Sequence, residues 1–275
     1  MSLLHYVIPI RPLNVEELNS KIAADIAVAF EFRGADTCYY WAPGKSTRGM
    51  DITIEANRIE IRNTILSNGF DYTLTNSIAQ RILEMTGGVL LNEEGDAVGL
   101  PLFDRQTIDN LEQRDCELIK TVLIKSEDIV IYGPVRKVYF GKRVKQMMEQ
   151  HEGLDLRDAI FDMILKAQWG LPDFGYGNIM EVGNDGKPSI VKLIVPGIDC
   201  LVDKYDYIML HRDPLRPLLV TNEVLNKILP ASWTLVDEFT VVAPALDEHE
   251  WGMLVKNAEE YDMMDTFLTK QRGEE

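Results

Sequence analysis

The chain is short of the residues on which several common functions depend. It has three cysteines, Cys38, Cys116 and Cys200, odd in number and far apart. No CxxC pair is present, so neither a cysteine zinc site nor a disulfide framework is indicated, and the pattern suits buried thiols in a reducing, cytoplasmic compartment. Of the four histidines, His5 and His151 have no companion at metal-ligand spacing. No stretch approaches the roughly 18 consecutive apolar residues of a membrane-spanning helix, so no membrane partner is expected. Positive charge is in deficit: 28 Lys and Arg against 44 Asp and Glu leave a net charge of −16. That balance opposes wrapping a phosphate backbone and argues against nucleic acid as a partner. No serine stands in a G-x-S-x-G turn. These absences predict no metal, no cofactor and no legible catalytic residue.

What is present is ordinary globular material. The 275 residues are 46% hydrophobic and 26% charged, enough apolar side chain to bury a sizeable core. The acidic excess is uneven. Residues 1–150 hold 17 basic and 21 acidic side chains, whereas residues 151–275 hold 11 and 23.

Periodicity places the elements. Residues 1–10, an apolar run that Pro9 interrupts, read as an opening strand. Asn14 and Glu17 have capping spacing, and Val15, Leu18, Ile22 and Ile26 predict a helix over 14–29. Met50, Ile52 and Ile54, then Ile59, Ile61 and Ile65, alternate with polar residues and predict an amphipathic hairpin turning near Asn57. A helix carrying Leu74, Ile78, Ile82 and Met85 follows as its cover and stops at Gly87. Asp104 caps a third helix, strands follow at 129–132 and 135–140, and a basic helix begins after Gly141. Asp155 and Asp158 open a further helix that closes at Gly170. The stretch 171–186 reads as loop, with Phe174 and Tyr176 among glycines. A strand over 234–242 and a single closing helix from Asp247 through Leu268 complete the pattern.

Three local patterns imitate functional motifs. Gly44-Lys45-Ser46 has the ending of a phosphate-binding loop, but Tyr39 stands where a glycine is required and a strand follows where a helix should begin. His211-Arg212-Asp213 has the letters of a kinase catalytic loop without the asparagine, which would fall at Leu218. His249 lies among Asp247, Glu248 and Glu250, but consecutive helix positions point in different directions, so capping is the better account.

Two charged sets remain as candidates. Arg136, Lys137, Lys142, Arg143 and Lys145 form a basic run with no acidic residue between Ile129 and Met148, suited to an anion or to partner carboxylates. Asp247, Glu248, Glu250, Glu259 and Glu260 form an acidic face, suited to a basic protein partner.

Ser46-Thr47-Arg48-Gly49 before an alternating strand pair, Ser67 to Leu74 leading into a helix, Gly133-Pro134-Val135-Arg136 before a strand, and a closing strand near Asp237 recur here in a set order. That order resembles an uncharacterised bacterial family of similar length, a domain of unknown function. The resemblance brings no established activity, cofactor or catalytic residue.

The expectation is an α+β fold, mainly antiparallel sheet with helices packed on one face. It is organised either as two similar lobes, 1–125 and 126–275, or as one continuous domain. The expected function is a non-enzymatic protein-binding or regulatory role in the bacterial cytosol, immunity-like in that it neutralises a basic partner. The alternative is an enzyme whose dispersed active site gathers around residues 136–145.

Overall fold

The computed structural model describes residues 2–25, 27–183, 188–212 and 214–272. Met1, Ile26, Gly186 and Asp213, which enter readings above, lie outside them, and the opening strand ends at Ile8, before Pro9. The fold is α+β with mainly antiparallel sheet, and the chain divides into two compact units, Met1–Gly170 and Leu171–Glu275. The division falls later than the 125/126 division read from the sequence.

Unit 1 contains, in chain order, β1 (Ser2–Ile8), α1 (Val15–Asp25), β2 (Ala29–Phe32), β3 (Thr37–Trp41), β4 (Met50–Ile54), β5 (Ile59–Thr64), α2 (Gly69–Thr86) and β6 (Val89–Leu91). It continues with α3 (Arg105–Lys125), β7 (Ile129–Tyr132), β8 (Lys137–Phe140), α4 (Lys142–Gln150) and α5 (Gly153–Trp169). Six strands form one sheet in the order β2-β3-β4-β5-β1-β6, antiparallel throughout. The period-2 pattern sends Tyr40, Ile52 and Ile61 to one face, where Leu18 and Ile22 of α1 and Leu74, Ile78 and Ile82 of α2 meet them. Each such side chain, fully buried, stabilises the unit by about 1.5–3 kcal/mol. The first helix stops at Asp25, short of the expected residue 29, because Ala29–Phe32 pair with Thr37–Trp41 as the sheet edge. Residues 126–170 belong to this unit because α5 and α4 pack on α3, and α5 also packs on β8.

Gln168 of α5 shapes the 133–136 turn. Its side-chain oxygen accepts from Val135 N (2.9 Å) and Arg136 N (3.1 Å), and its Nε2 donates to Arg136 O (2.8 Å). A Cβ at Gly133 would lie 2.3 Å from the Gln168 amide, so only glycine lets the turn approach.

Unit 2 contains β9 (Ile179–Val182), β10 (Ser189–Ile194), β11 (Cys200–Val202), β12 (Tyr207–Leu210), β13 (Leu218–Val220), α6 (Asn222–Lys227), β14 (Thr234–Leu235), β15 (Val241–Ala243), α7 (Glu248–Glu259) and α8 (Met264–Arg272). A four-stranded sheet runs β13-β12-β10-β9, with β10 and β12 parallel, and a three-stranded sheet runs β11-β15-β14. Leu254, Val255 and Ala258 of α7 pack in one apolar cluster, and Met264 and Phe267 of α8 in another with Val191 and Leu219.

Side chains interrupt two stretches expected to be continuous. Asp237 accepts from Phe239 N (3.0 Å) and Thr240 N (2.7 Å), a local turn that splits the 234–242 strand into β14 and β15. Asp262 Oδ1 accepts from Leu219 N (2.9 Å) and Met264 N (3.1 Å), which divides the closing helix into α7 and α8. β9 lies within the stretch read as loop.

Candidate functional site

The most elaborate side-chain chemistry of unit 1 gathers at the N-terminus of α2. Asn68 caps the helix and Asp71, at its third position, completes a capping box. The Asp71 carboxylate does more than cap. Its Oδ2 accepts from Thr47 Oγ1 (3.0 Å), Arg48 N (3.0 Å) and Asn68 N (3.1 Å), and more distantly from Thr47 N (3.3 Å); Oδ1 accepts from Gly49 N (2.9 Å). The loop that imitates a phosphate cradle has therefore turned three consecutive amides onto a carboxylate of the protein itself. Gly49 is obligatory there: its φ is +64°, and a Cβ would stand 2.5 Å from Tyr40 O.

Two more carboxylates of α3 hold the neighbouring turn. Asp115 Oδ2 accepts from Leu66 N (2.8 Å), and Glu112 Oε1 accepts from Gly69 N (2.8 Å). Leu66 is buried with φ +64°, a costly conformation for a non-glycine residue. Asp115 and the Thr47 hydroxyl, whose single proton faces both Leu66 O (2.6 Å) and Asp71 Oδ2 (3.0 Å), hold it in place. Trp169 Nε1 donates to Ser46 O (2.7 Å), tying the end of α5 to the same loop.

Beside this junction a cavity of about 780 Å³ opens between α2, α3 and α5. Phe70, Phe103, Ile108 and Phe161 supply apolar wall, and Phe70 is 52% exposed at the rim. Asp109, Glu112, Asp158, Arg105 and Arg157 supply the charge. Arg157 donates to Asp158 Oδ1 (Nε, 2.9 Å) and Asp109 Oδ1 (Nη1, 3.3 Å), but stands 3.7 Å from Glu112 Oε2. Burial pushes the Glu112 carboxyl above the ordinary range; Arg157 and the Gly69 amide work against that. Burial pulls the Arg157 guanidinium down, and Asp158, Glu112 and Asp109 more than restore it. The arrangement can hold a cation: apolar rings to face its stem and carboxylates, in excess over guanidiniums, to take its charge.

The basic run does not gather at this cavity. Arg136 turns inward, its Nε and Nη1 buried without a hydrogen-bond partner. Lys137 lies 5.7 Å from the Tyr132 ring, and Lys145 Nζ donates to Ser126 O (3.0 Å) at the end of α3. Lys142 and Arg143 stand exposed on the first turn of α4. The acidic face is largely committed within unit 2. Asp247 and Glu250 form the α7 capping box, and Glu259 pairs with Arg212 at 2.6 Å; Glu248 and Glu260 are exposed. His249 is exposed in the first turn of α7.

Sequence reasoning missed Asp71, Glu112, Arg157 and Phe70. Asn68 and Asp71 stand at capping-box spacing, a local signal. The cavity residues come from three helices distant in sequence, and no local spacing marks them.

No family model, curated protein or solved structure matches the chain. Among the described residues no helix is long and apolar enough to cross a membrane, and no group of three or more His, Cys, Asp and Glu side chains is placed to hold a metal.

Proposed function

We propose that the chain is a non-enzymatic, partner-binding protein of the bacterial cytosol whose partner is basic, and that the partner's cationic side chain enters the cavity beside α2. The observation that carries this reading is the aromatic and carboxylate lining around Glu112, with Phe70 half exposed at its mouth. An arginine or lysine entering there buries its methylene stem against the rings and presents its charge to Glu112 and Asp109. The Glu112–Arg157 contact of 3.7 Å is the loosest in the charged set, so Glu112 can take a new partner at little cost. The chain's net charge of −16 draws a basic partner in.

The test uses a fluorescent arginine-rich peptide and its citrulline analogue at low salt, with affinity read by anisotropy. The arginine peptide binds, the neutral analogue does not, and Glu112→Gln or Phe70→Ala each weaken binding about tenfold, or ~1.4 kcal/mol. Ionised Glu112 is the binding form and its pKa is raised, so affinity falls with acidification at a pH above the ordinary glutamate range. Equal affinity for the two peptides, or for wild type and Glu112→Gln, removes the support for this reading.

A further inference from the structure

The six-stranded sheet of unit 1 has one covered edge and one open edge. Beyond β6, Ala97 bridges Leu91 and Val98 N donates to Leu90 O (2.9 Å). At the other end of the sheet, β2 has β3 as its one neighbour. Arg33 N donates to Thr37 O (3.0 Å), and antiparallel alternation then turns the backbone groups of Glu31 and Ala29 toward β3 and those of Phe30 and Phe32 away from it. The next ladder agrees: Ile54 N donates to Asp36 O (2.8 Å), so Cys38 and Tyr40, opposite Phe32 and Phe30, aim their backbone groups at β4. Among the described residues nothing bonds to the outward N–H and C=O of Phe30 and Phe32.

The open edge is also apolar. Phe30 is 41% and Phe32 58% exposed, and their rings meet edge to face at 6.2 Å. Unpaired strand backbone beside exposed rings is a template for another strand. Charge usually protects such an edge, and Glu31 stands between the two phenylalanines, on the opposite face of the strand. What that charge meets decides whether it protects. Antiparallel pairing with the β2 of a second copy, centred on Glu31, opposes like charges. Centred on Phe32, it opposes Glu31 to Arg33 twice, each time as the closer, non-hydrogen-bonded kind of pair, and sets Phe32 against itself. Glu31 engages its own Arg33 through Oε1, and the two side chains are 52% and 40% exposed, so its Oε2 is open to a partner's guanidinium. The run Phe30-Glu31-Phe32-Arg33 is thus complementary to itself, which selects a second copy of this chain over an unrelated strand.

We infer that β2 is a dimerisation edge: two copies pair β2 antiparallel about a twofold axis at Phe32, joining their six-stranded sheets into one continuous sheet. This surface is separate from the cavity and uses none of its residues. The strand is four residues long and each chain carries −16, so the association is weak, with Kd on the order of 10–100 μM.

Sedimentation equilibrium of the full chain from about 1 to 500 μM, at about 0.15 M salt, tests the edge. The mass rises from monomer to dimer, and hydrogen exchange at the Phe30 and Phe32 amides slows as concentration rises. Glu31→Arg and Arg33→Glu each oppose like charges and weaken self-association at least tenfold. Mixed in equal amounts, the two variants restore opposite charges at both positions and associate within about threefold of wild type. Glu31→Arg alters one exposed side chain and keeps the fold. If Arg33→Glu, which gives up the Tyr39 ring and Asp51, is unfolded by circular dichroism, Glu31→Arg and the amide exchange decide. A chain that stays monomeric throughout, a dimer whose Phe30 and Phe32 amides exchange as in the monomer, or a Glu31→Arg variant that dimerises like wild type overturns the inference. So does a mixture of the two folded variants that associates no more tightly than either alone.

Discussion

Each unit buries a charged side chain completely, burial works against the charge of both, and the two are compensated in opposite ways. Asp71 of unit 1 takes up four amides and a hydroxyl. Lys192 of unit 2, 1% exposed on β10, donates to Tyr176 O under a loop whose Gly177 comes so close that a Cβ there would lie 2.8 Å from Nζ. The titratable group that acts on it is Cys200, and among the described residues no carboxylate does. The contrast follows charge rather than unit, because Asp237 of unit 2 is buried and caged much as Asp71 is. Turns and helix starts expose clustered N–H groups that suit an anion. A buried ammonium must find carbonyls one at a time. Asp71 is thus an organiser of backbone, whereas Lys192 is a burden its unit carries.

The largest effect belongs to Asp71→Ala. It strands the amides of Thr47, Arg48 and Gly49 and opens the capping box at once, so unit 1 loses about 3–5 kcal/mol in urea unfolding. Hydrogen exchange at those three amides accelerates more than elsewhere in the unit. A loss below about 1 kcal/mol, the worth of one ordinary hydrogen bond, would break the comparison by making Asp71 no better supported than Lys192.

Much of the fold could be read in the sequence where the signal is local. The 50–65 hairpin, the α2 stripe, the Asp104 cap and the α7 capping box rest on spacings of two to four residues. Failures came where a side chain met backbone far away or cut a pattern short. Asp262 breaks the closing helix through Leu219 N, and α3 carboxylates set the turn at Leu66 and Gly69. The candidate site was hidden for the same reason. Phe70, Glu112 and Arg157 are unremarkable in their own neighbourhoods and form a cavity only when three helices meet. Part of the charge runs that stood out is taken up by capping and pairing, as Lys145 on Ser126 O and Glu259 on Arg212 illustrate, while Lys142, Arg143, Glu248 and Glu260 stay exposed.

Lys192→Met sharpens the contrast from the other side. The methionine keeps the stem's packing and removes the buried charge, so it stabilises unit 2 by about 1–2 kcal/mol at pH 7. The sign follows from linkage. Burial lowers the folded Lys192 pKa below its ordinary 10.5, with Cys200 pulling the other way. Between those values the unfolded chain holds more protons, so wild-type stability rises with pH until the unfolded lysine has also titrated. Urea unfolding at pH 7 and pH 9.5 reads this as a gap between wild type and variant that narrows at the higher pH. A destabilised variant, or a constant gap, would show that the ammonium is well solvated by its carbonyl.

The smallest effect separates both buried charges from those left in water. Glu248 and Glu260 are exposed on α7. Glu248 sits in the first turn, where negative charge is favoured, and Glu260 at the last, where it is not, so removing both nearly cancels. Glu248→Gln with Glu260→Gln changes stability by less than about 0.5 kcal/mol. The same variant discriminates between two docking surfaces. If a basic partner is received by the cavity, the affinity of the arginine peptide changes less than twofold, because neither carboxylate lines the cavity and each adds only a screened attraction. If affinity falls as far as in Glu112→Gln, net charge on α7 is the attraction, and the cavity's rings and carboxylates are a consequence of packing α3 and α5 against the start of α2.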